Sequence, residues 1–131
     1  MNNVDLGRLD PRPRVKIGSS AELTGSRCTQ CSYPSTDVLS RCPECAESMT
    51  PCTFGARGRV FASTVLRVPV PGREPPYGLA YIDMIPDGGF GPRILAHSDP
   101  SAGALLPGSI VELVGLTAEG DPLVRGCELD A

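Results

Sequence analysis

The pattern of apolar and polar positions changes character near residue 54. Beyond it, short runs of β-branched, aliphatic and aromatic residues alternate with Gly/Pro breaks, the signature of strands joined by tight turns. Residues 57–68 (RGRVFASTVLRV) predict a strand with Val60, Ala62, Leu66 and Val68 on one face at period two. The stretch 69–76 (PVPGREPP) cannot be strand interior, because proline donates nothing to a ladder. Residues 78–85 (GLAYIDMI) predict a second strand, and Pro86-Asp87-Gly88-Gly89 a turn. A third strand is expected over 92–97 (PRILAH), closed by Asp99-Pro100-Ser101. Pro107-Gly108 introduces a fourth over 109–114 (SIVELV), and Glu119-Gly120-Asp121 turns into a fifth over 122–127. Five short strands so punctuated fit a small barrel or sandwich, and the five-stranded option is an OB-fold-like barrel.

The first half carries no such alternation. Residues 1–24, with Pro11 and Pro13, predict an extended arm in which Gly18 to Leu23 signals at most one helical turn. Residues 25–53 hold five of the six cysteines but few large apolar residues: Tyr33, Val38, Leu39 and Met49. Such a segment buries too little surface to fold by itself, so a metal must supply the missing stability. The expected organisation is an arm over 1–24, a zinc ribbon over 25–53 and an OB-fold domain over 54–131, all-β throughout.

The cysteines supply the chemistry. Cys28 and Cys31 are separated by two residues, Cys42 and Cys45 by two, and the pairs by ten. Each CxxC turn presents two sulfurs to one ion, and two such knuckles complete the tetrahedron that zinc prefers. The ten-residue spacer is long enough for a short β-hairpin between knuckles. With all four positions taken by thiolates the site is closed and structural. A rubredoxin-like iron centre and a pair of unrelated redox dithiols are the alternatives. Cys52 stands outside both knuckles as a spare thiol near the site, and Cys127, on the last strand, reads as a small buried hydrophobe.

Composition narrows the function. Gly and Pro number 15 and 14 in 131 residues, which leaves little room for long helices. The net charge of -3 argues against a protein that lives on phosphate backbones. No apolar run is long enough for a membrane helix, and the polar segment from Met1 to Lys16 lacks the apolar core of a signal peptide, so a cytoplasmic location is expected. The single histidine, His97, has only Asp99 nearby in sequence, and no phosphate loop or nucleophile elbow is present. Asp83 is expected to pair with Arg67 or Arg93 across strands.

A paired-knuckle segment followed at once by a five-stranded barrel resembles the family catalogued as domain of unknown function thirty-five, a rubredoxin-like zinc ribbon joined to an OB-fold. The matching residues are Cys28-Thr29-Gln30-Cys31, Cys42-Pro43-Glu44-Cys45, Gly58 to Val65 (GRVFASTV), Pro76 to Asp83 (PYGLAYID), Arg93 to Ala96 (RILA) and Pro107 to Leu113 (PGSIVEL). The family often has Gly after the second cysteine of a knuckle, where Ser32 and Ala46 stand here, and its N-terminal helical segment has no clear counterpart in residues 1–24.

The resemblance implies a noncatalytic subunit beside a thiolase or thiolase-like enzyme acting on acyl-CoA substrates. Settings of the family include 3-oxoacyl-CoA thiolysis, aldol cleavage of steroid side-chain CoA esters and acetyl transfer. It further implies structural Zn2+ on Cys28, Cys31, Cys42 and Cys45, CoA as a ligand of the complex, and no catalytic residue in this chain. Arg57, Arg59, Arg67 and Arg73 are candidates to meet CoA phosphates, since guanidinium pairs well with phosphate. The loop 69–76 and the arm 1–24 are candidate docking surfaces. The alternative is a single-stranded nucleic-acid-binding module, which would need stacking aromatics and a positive groove; three Phe, three Tyr and no Trp supply few of the former.

Overall fold

The structure is a computed structural model describing residues 11–86 and 90–127. Among the described residues nine strands run in chain order: β1 (Arg14–Ile17), β2 (Ala21–Cys28), β3 (Pro34–Ser35), β4 (Met49–Thr53), β5 (Arg57–Leu66), β6 (Tyr77–Met84), β7 (Arg93–Ser98), β8 (Ile110–Leu116) and β9 (Pro122–Gly126). Among the described residues the sole helical element is the 3-10 turn Pro100–Ala102, capped by the Asp99 carboxylate, which accepts from Ser101 N–H at 2.9 Å.

The five expected strands are all present, as β5 to β9, and they close into a barrel in the order β5-β6-β7-β9-β8. The seam is the parallel β7–β9 contact, a single pairing of His97 with Leu123, while the other neighbours are antiparallel. Alternate residues Gly78, Ala80, Ile82 and Met84 of β6 and Ile94 and Ala96 of β7 point inward, with Val60, Val111, Leu113 and Val124. The barrel and the all-β class therefore stand as expected. Of the turn expected at 86–89, positions 87–89 lie outside the described residues, as do residues 1–10 of the arm.

Three local expectations are corrected. The face drawn through Val60, Ala62, Leu66 and Val68 is broken, because a β-bulge lies between Val60 and Ala62. One extra residue, Phe61, reverses the alternation: Val60 is buried, but Ala62 and Val68 are exposed. Ala21 to Leu23 is strand and not the start of a helical turn. Ala21 and Leu23 alternate inward from β2 into the barrel's own hydrophobic cluster beside Phe54, and that burial overrides a weak helical signal. The spacer between the knuckles does not form a hairpin by itself. It contributes β3, which pairs with Ser26 and Arg27 of β2, while β4 pairs with the other edge of β2.

β2 thus organises the N-terminal half. It crosses the arm–ribbon boundary at residue 24, with β1 folded back on it as a hairpin. Its Gly25 lies where a Cβ would run into the Ser35 carbonyl and the Phe54 ring, so glycine is required by close approach rather than by φ. The buried Ser26 hydroxyl donates to the Asp37 carbonyl (2.6 Å) and accepts from Leu39 N–H (3.1 Å), tying down the spacer.

Candidate functional site

The two knuckles converge. The end of β2 supplies Cys28, the turn after it Cys31, and the turn before β4 Cys42 and Cys45; the four sulfurs all lie within 4.8 Å of one another. Separations are 3.4 Å for Cys28–Cys45 and 3.6 Å for both Cys31–Cys42 and Cys31–Cys45. Four sulfurs placed about 2.3 Å from one zinc ion form a tetrahedron with edges of about 3.8 Å, so the spacing fits the ion closely. The donor set agrees. Backbone N–H groups of Gln30 and Cys31 point at the Cys28 sulfur, and that of Glu44 at the Cys42 sulfur.

The hydrogen bond from Cys31 N–H, helped by that of Gln30, outweighs burial and draws the Cys28 thiol down to about 6. At Cys45 the backbone of Glu47 pulls downward, but the Cys28 sulfur, burial and the two remaining sulfurs prevail and push the thiol up to about 12. Four thiolates cannot ionise together this closely without a cation, and a divalent soft-ligand ion would supply the missing charge. Little apolar material surrounds them: Met49, with Tyr33 and Leu39 beside it, while Val38 is exposed.

Each knuckle ends in a left-handed residue, Ser32 at φ 66° and Ala46 at φ 67°. Glycine would adopt this conformation freely, and a side chain there costs about 1–2 kcal/mol. Ser32→Gly and Ala46→Gly are therefore expected to stabilise the metal-loaded chain by about 1 kcal/mol each, less the entropy that glycine restores to the unfolded chain. Denaturant unfolding of each variant checks this; a loss of stability at both positions would contradict it.

Cys52 and Cys127 stand apart from the four. Cys52 pairs with Gly25 and packs against the barrel cluster, not the ribbon cluster, and burial raises its pKa against the opposing charge of Arg27. Cys127 follows β9 and is half-buried.

The candidate arginines are spread out. Arg57 and Arg59 lie at the start of β5, and Arg67 just beyond its end, about 30 Å along a strand rising about 3.3 Å per residue. All three are exposed. Arg59 donates to the Gly108 carbonyl at 3.0 Å. Arg73 binds the Asp121 carboxylate at 2.7 Å, so its charge is already engaged. Asp83 takes a bidentate pair from Arg93 (2.6 and 3.1 Å), one of its two expected partners.

A second polar centre, around Asp121, has almost no signature in the order of the residues. Its carboxylate, 8% exposed, also meets Arg12 Nη1 at 3.3 Å, His97 Nε2 at 3.4 Å and Thr117 Oγ1 at 3.4 Å. Arg12 further donates to the Glu119 carbonyl (2.6 Å), and His97 stacks on Tyr77 at 5.5 Å between centroids. Burial alone would raise the Asp121 pKa, but a charged His97 and the guanidinium groups of Arg12 and Arg73 outweigh it and hold the carboxyl low. Residues 109 apart in sequence meet here, and the one local cue was a Gly-Asp turn.

Burial, seconded by Arg73 and opposed by Asp121 and Glu119, lowers the His97 pKa below its ordinary 6.5. The folded chain therefore binds this proton less readily than the unfolded chain. His97 costs no stability above pH 6.5, and stability is lost as the pH falls below that value toward the folded pKa. The slope of unfolding free energy against pH in that window should flatten in His97→Gln; an unchanged slope would refute the assignment.

No protein-family model matches the chain, and no curated protein matches it. Solved structures do. One, named "Ltp2-ChsH2(DUF35) aldolase", superposes with a TM-score of 0.61 at 23% identity, covering 80% of this chain and 84% of that one. The chain has the fold of that solved protein, as its resemblance to the DUF35 family implies.

Proposed function

We propose that the chain is a noncatalytic, zinc-holding subunit of a thiolase-type complex. The complex acts on acyl-CoA substrates, making or breaking a carbon–carbon bond, in the cytoplasm. The observation that carries this is the shared fold over 80% of the chain with a protein whose name joins a DUF35 component to a second component in an aldolase. In this assignment the ribbon over 25–53, held by Zn2+ on Cys28, Cys31, Cys42 and Cys45, and the barrel over 54–131 stabilise the assembly and shape the channel for substrate or CoA.

The chemistry of the chain supports a supporting role. Its histidine touches a carboxylate already occupied by two guanidinium groups, so His97–Asp121 is poorly placed to act as an acid–base pair. For CoA, the exposed Arg57, Arg59 and Arg67 remain available to phosphates, whereas Arg73 would first have to leave Asp121. Arg57 also lines a hollow of about 390 Å³ with Arg27, Thr53 and Ile85 at the ribbon–barrel junction.

Affinity purification of the chain from its native cell, with mass identification of what co-purifies in stoichiometric amount, tests the assignment. A thiolase-like protein is expected. Recovery of RNA or DNA would put single-stranded nucleic-acid binding first; the exposed rings of Phe61 and Tyr81 on the barrel wall are the observation that favours that alternative.

A further inference from the structure

Strand β6 is apolar on both faces. Gly78, Ala80, Ile82 and Met84 fill the barrel, while Leu79 and Tyr81 point outward between Tyr77 and Asp83. A strand covered on one side alone reads as alternating apolar and polar; a strand apolar on both sides is one that something covers on both. The neighbours continue the outward patch. Leu95 of β7 stands opposite Tyr81, and Ala62 of β5 stands opposite it on the other side. The bulge at Val60/Ala62 turns Phe61 out as well. Phe61, Tyr81 and Leu95 are 53%, 49% and 46% exposed, and Tyr81 and Leu95 line, with Ala62 and Leu79, an open apolar hollow of about 370 Å³. At the edges stand Arg59, Arg67 and the Arg93–Asp83 pair, which leaves two arginine charges unbalanced on a chain whose net charge is -3. An apolar centre inside a charged rim is the anatomy of a protein–protein interface.

We infer that the outward face of β5–β6–β7 is where this chain docks its partner subunit, against a surface apolar at its middle and acidic at its edge. The inference rests on the subunit assignment above and places docking on the barrel wall instead of on the loop 69–76 or the arm. A second copy of this chain fits poorly, because its rim would set Arg59 and Arg67 against themselves. Single-stranded nucleic acid fits poorly too. Leu79 and Leu95 offer no ring for a base, and one face of Phe61 is covered by the Arg93 guanidinium at 3.7 Å, itself tied to Asp83.

The test places a photo-crosslinking benzoylphenylalanine at position 81 or 95 of the full chain in its native cell, with position 114 as control. Val114 points outward from β8, on another wall of the barrel. Crosslinks to the thiolase-like subunit are expected from 81 and 95 and not from 114. Tyr81→Lys with Leu95→Lys should weaken capture of that subunit by at least about 100-fold, as two central interface residues together would. The thermal midpoint of the isolated chain should hold, since both side chains face outward. If the subunit is captured but crosslinks only from 114, or if the double variant binds it like the wild type, this surface is wrong and the subunit assignment stands. If the wild type captures no thiolase-like protein, both fall. A crosslink from 81 or 95 to a second copy or to nucleic acid overturns the proposal in favour of that occupant.

Discussion

Serine in place of Cys28 or Cys42 is expected to abolish stoichiometric zinc and, with it, capture of the proposed partner subunit. Both sulfurs are buried, both accept backbone N–H groups, and both sit within the four-sulfur cluster. The apolar material around them, Met49, Tyr33 and Leu39, is far too little to hold two knuckles and a spacer in place. In small domains of this kind the ion's apparent binding free energy, about 10–16 kcal/mol at neutral pH, is folding free energy. Removing one thiolate opens the tetrahedron to water and forfeits most of it. Zinc per chain, measured by atomic emission on the purified variants and set beside partner capture, decides the matter. A variant without zinc that assembles normally would sink the structural role of the site.

The second large effect is expected at Asp121. Asp121→Ala leaves Arg73 facing a site that no longer holds an anion, strips Thr117 of one partner, and frees Arg12 from the carboxylate. Breaking a buried pair from one side costs about 3–5 kcal/mol. Arg12 is 38% exposed and well screened, so its share is small and the lower end of that range is the expectation. For a chain of this size that is a fall of about 10 °C in thermal midpoint. Asp121→Asn, which keeps a hydrogen-bond acceptor, should lose less. A loss below about 1 kcal/mol for the alanine variant would mean the cluster behaves as an exposed ion pair.

The barrel was legible because its signals are local. Gly and Pro end each run, and β-branched and aliphatic residues fill them, so β5 to β9 fall where the pattern places them. The four-cysteine cluster was legible because a CxxC turn needs no tertiary information to bring two sulfurs together. What escaped depends on distant parts of the chain. β2 reads as AELTGSRC, with a glycine and a serine at its centre; both are buried, Gly25 by the approach of Ser35 and Phe54, and Ser26 by hydrogen bonds to the spacer. The bulge at Phe61 reversed the phase of β5, which no periodicity count detects when both phases contain apolar residues. The Asp121 cluster gathers one residue from the arm, one from the Pro-rich loop, one from the end of β7 and one from the last turn. The outward apolar patch of β6 is Leu79 and Tyr81 within GLAYIDMI, with Asp83 the charged residue on the same face.

β2 also fixes how the protein can be taken apart. Ala21 and Leu23 at one end belong to the barrel's interior, and Cys28 at the other belongs to the ribbon's. Phe54, immediately after β4, is fully buried in the same interior as Leu23; its N–H donates to the Leu23 carbonyl (2.8 Å), and Leu23 N–H donates to the Gly55 carbonyl (3.1 Å) across that junction. A cut between residues 53 and 54 therefore passes through a filled core and not through a linker. The ribbon is no interchangeable cassette. A barrel expressed from residue 54 onward would expose the pocket that Leu23 fills, and a ribbon grafted onto another barrel would need that pocket rebuilt to seat β2.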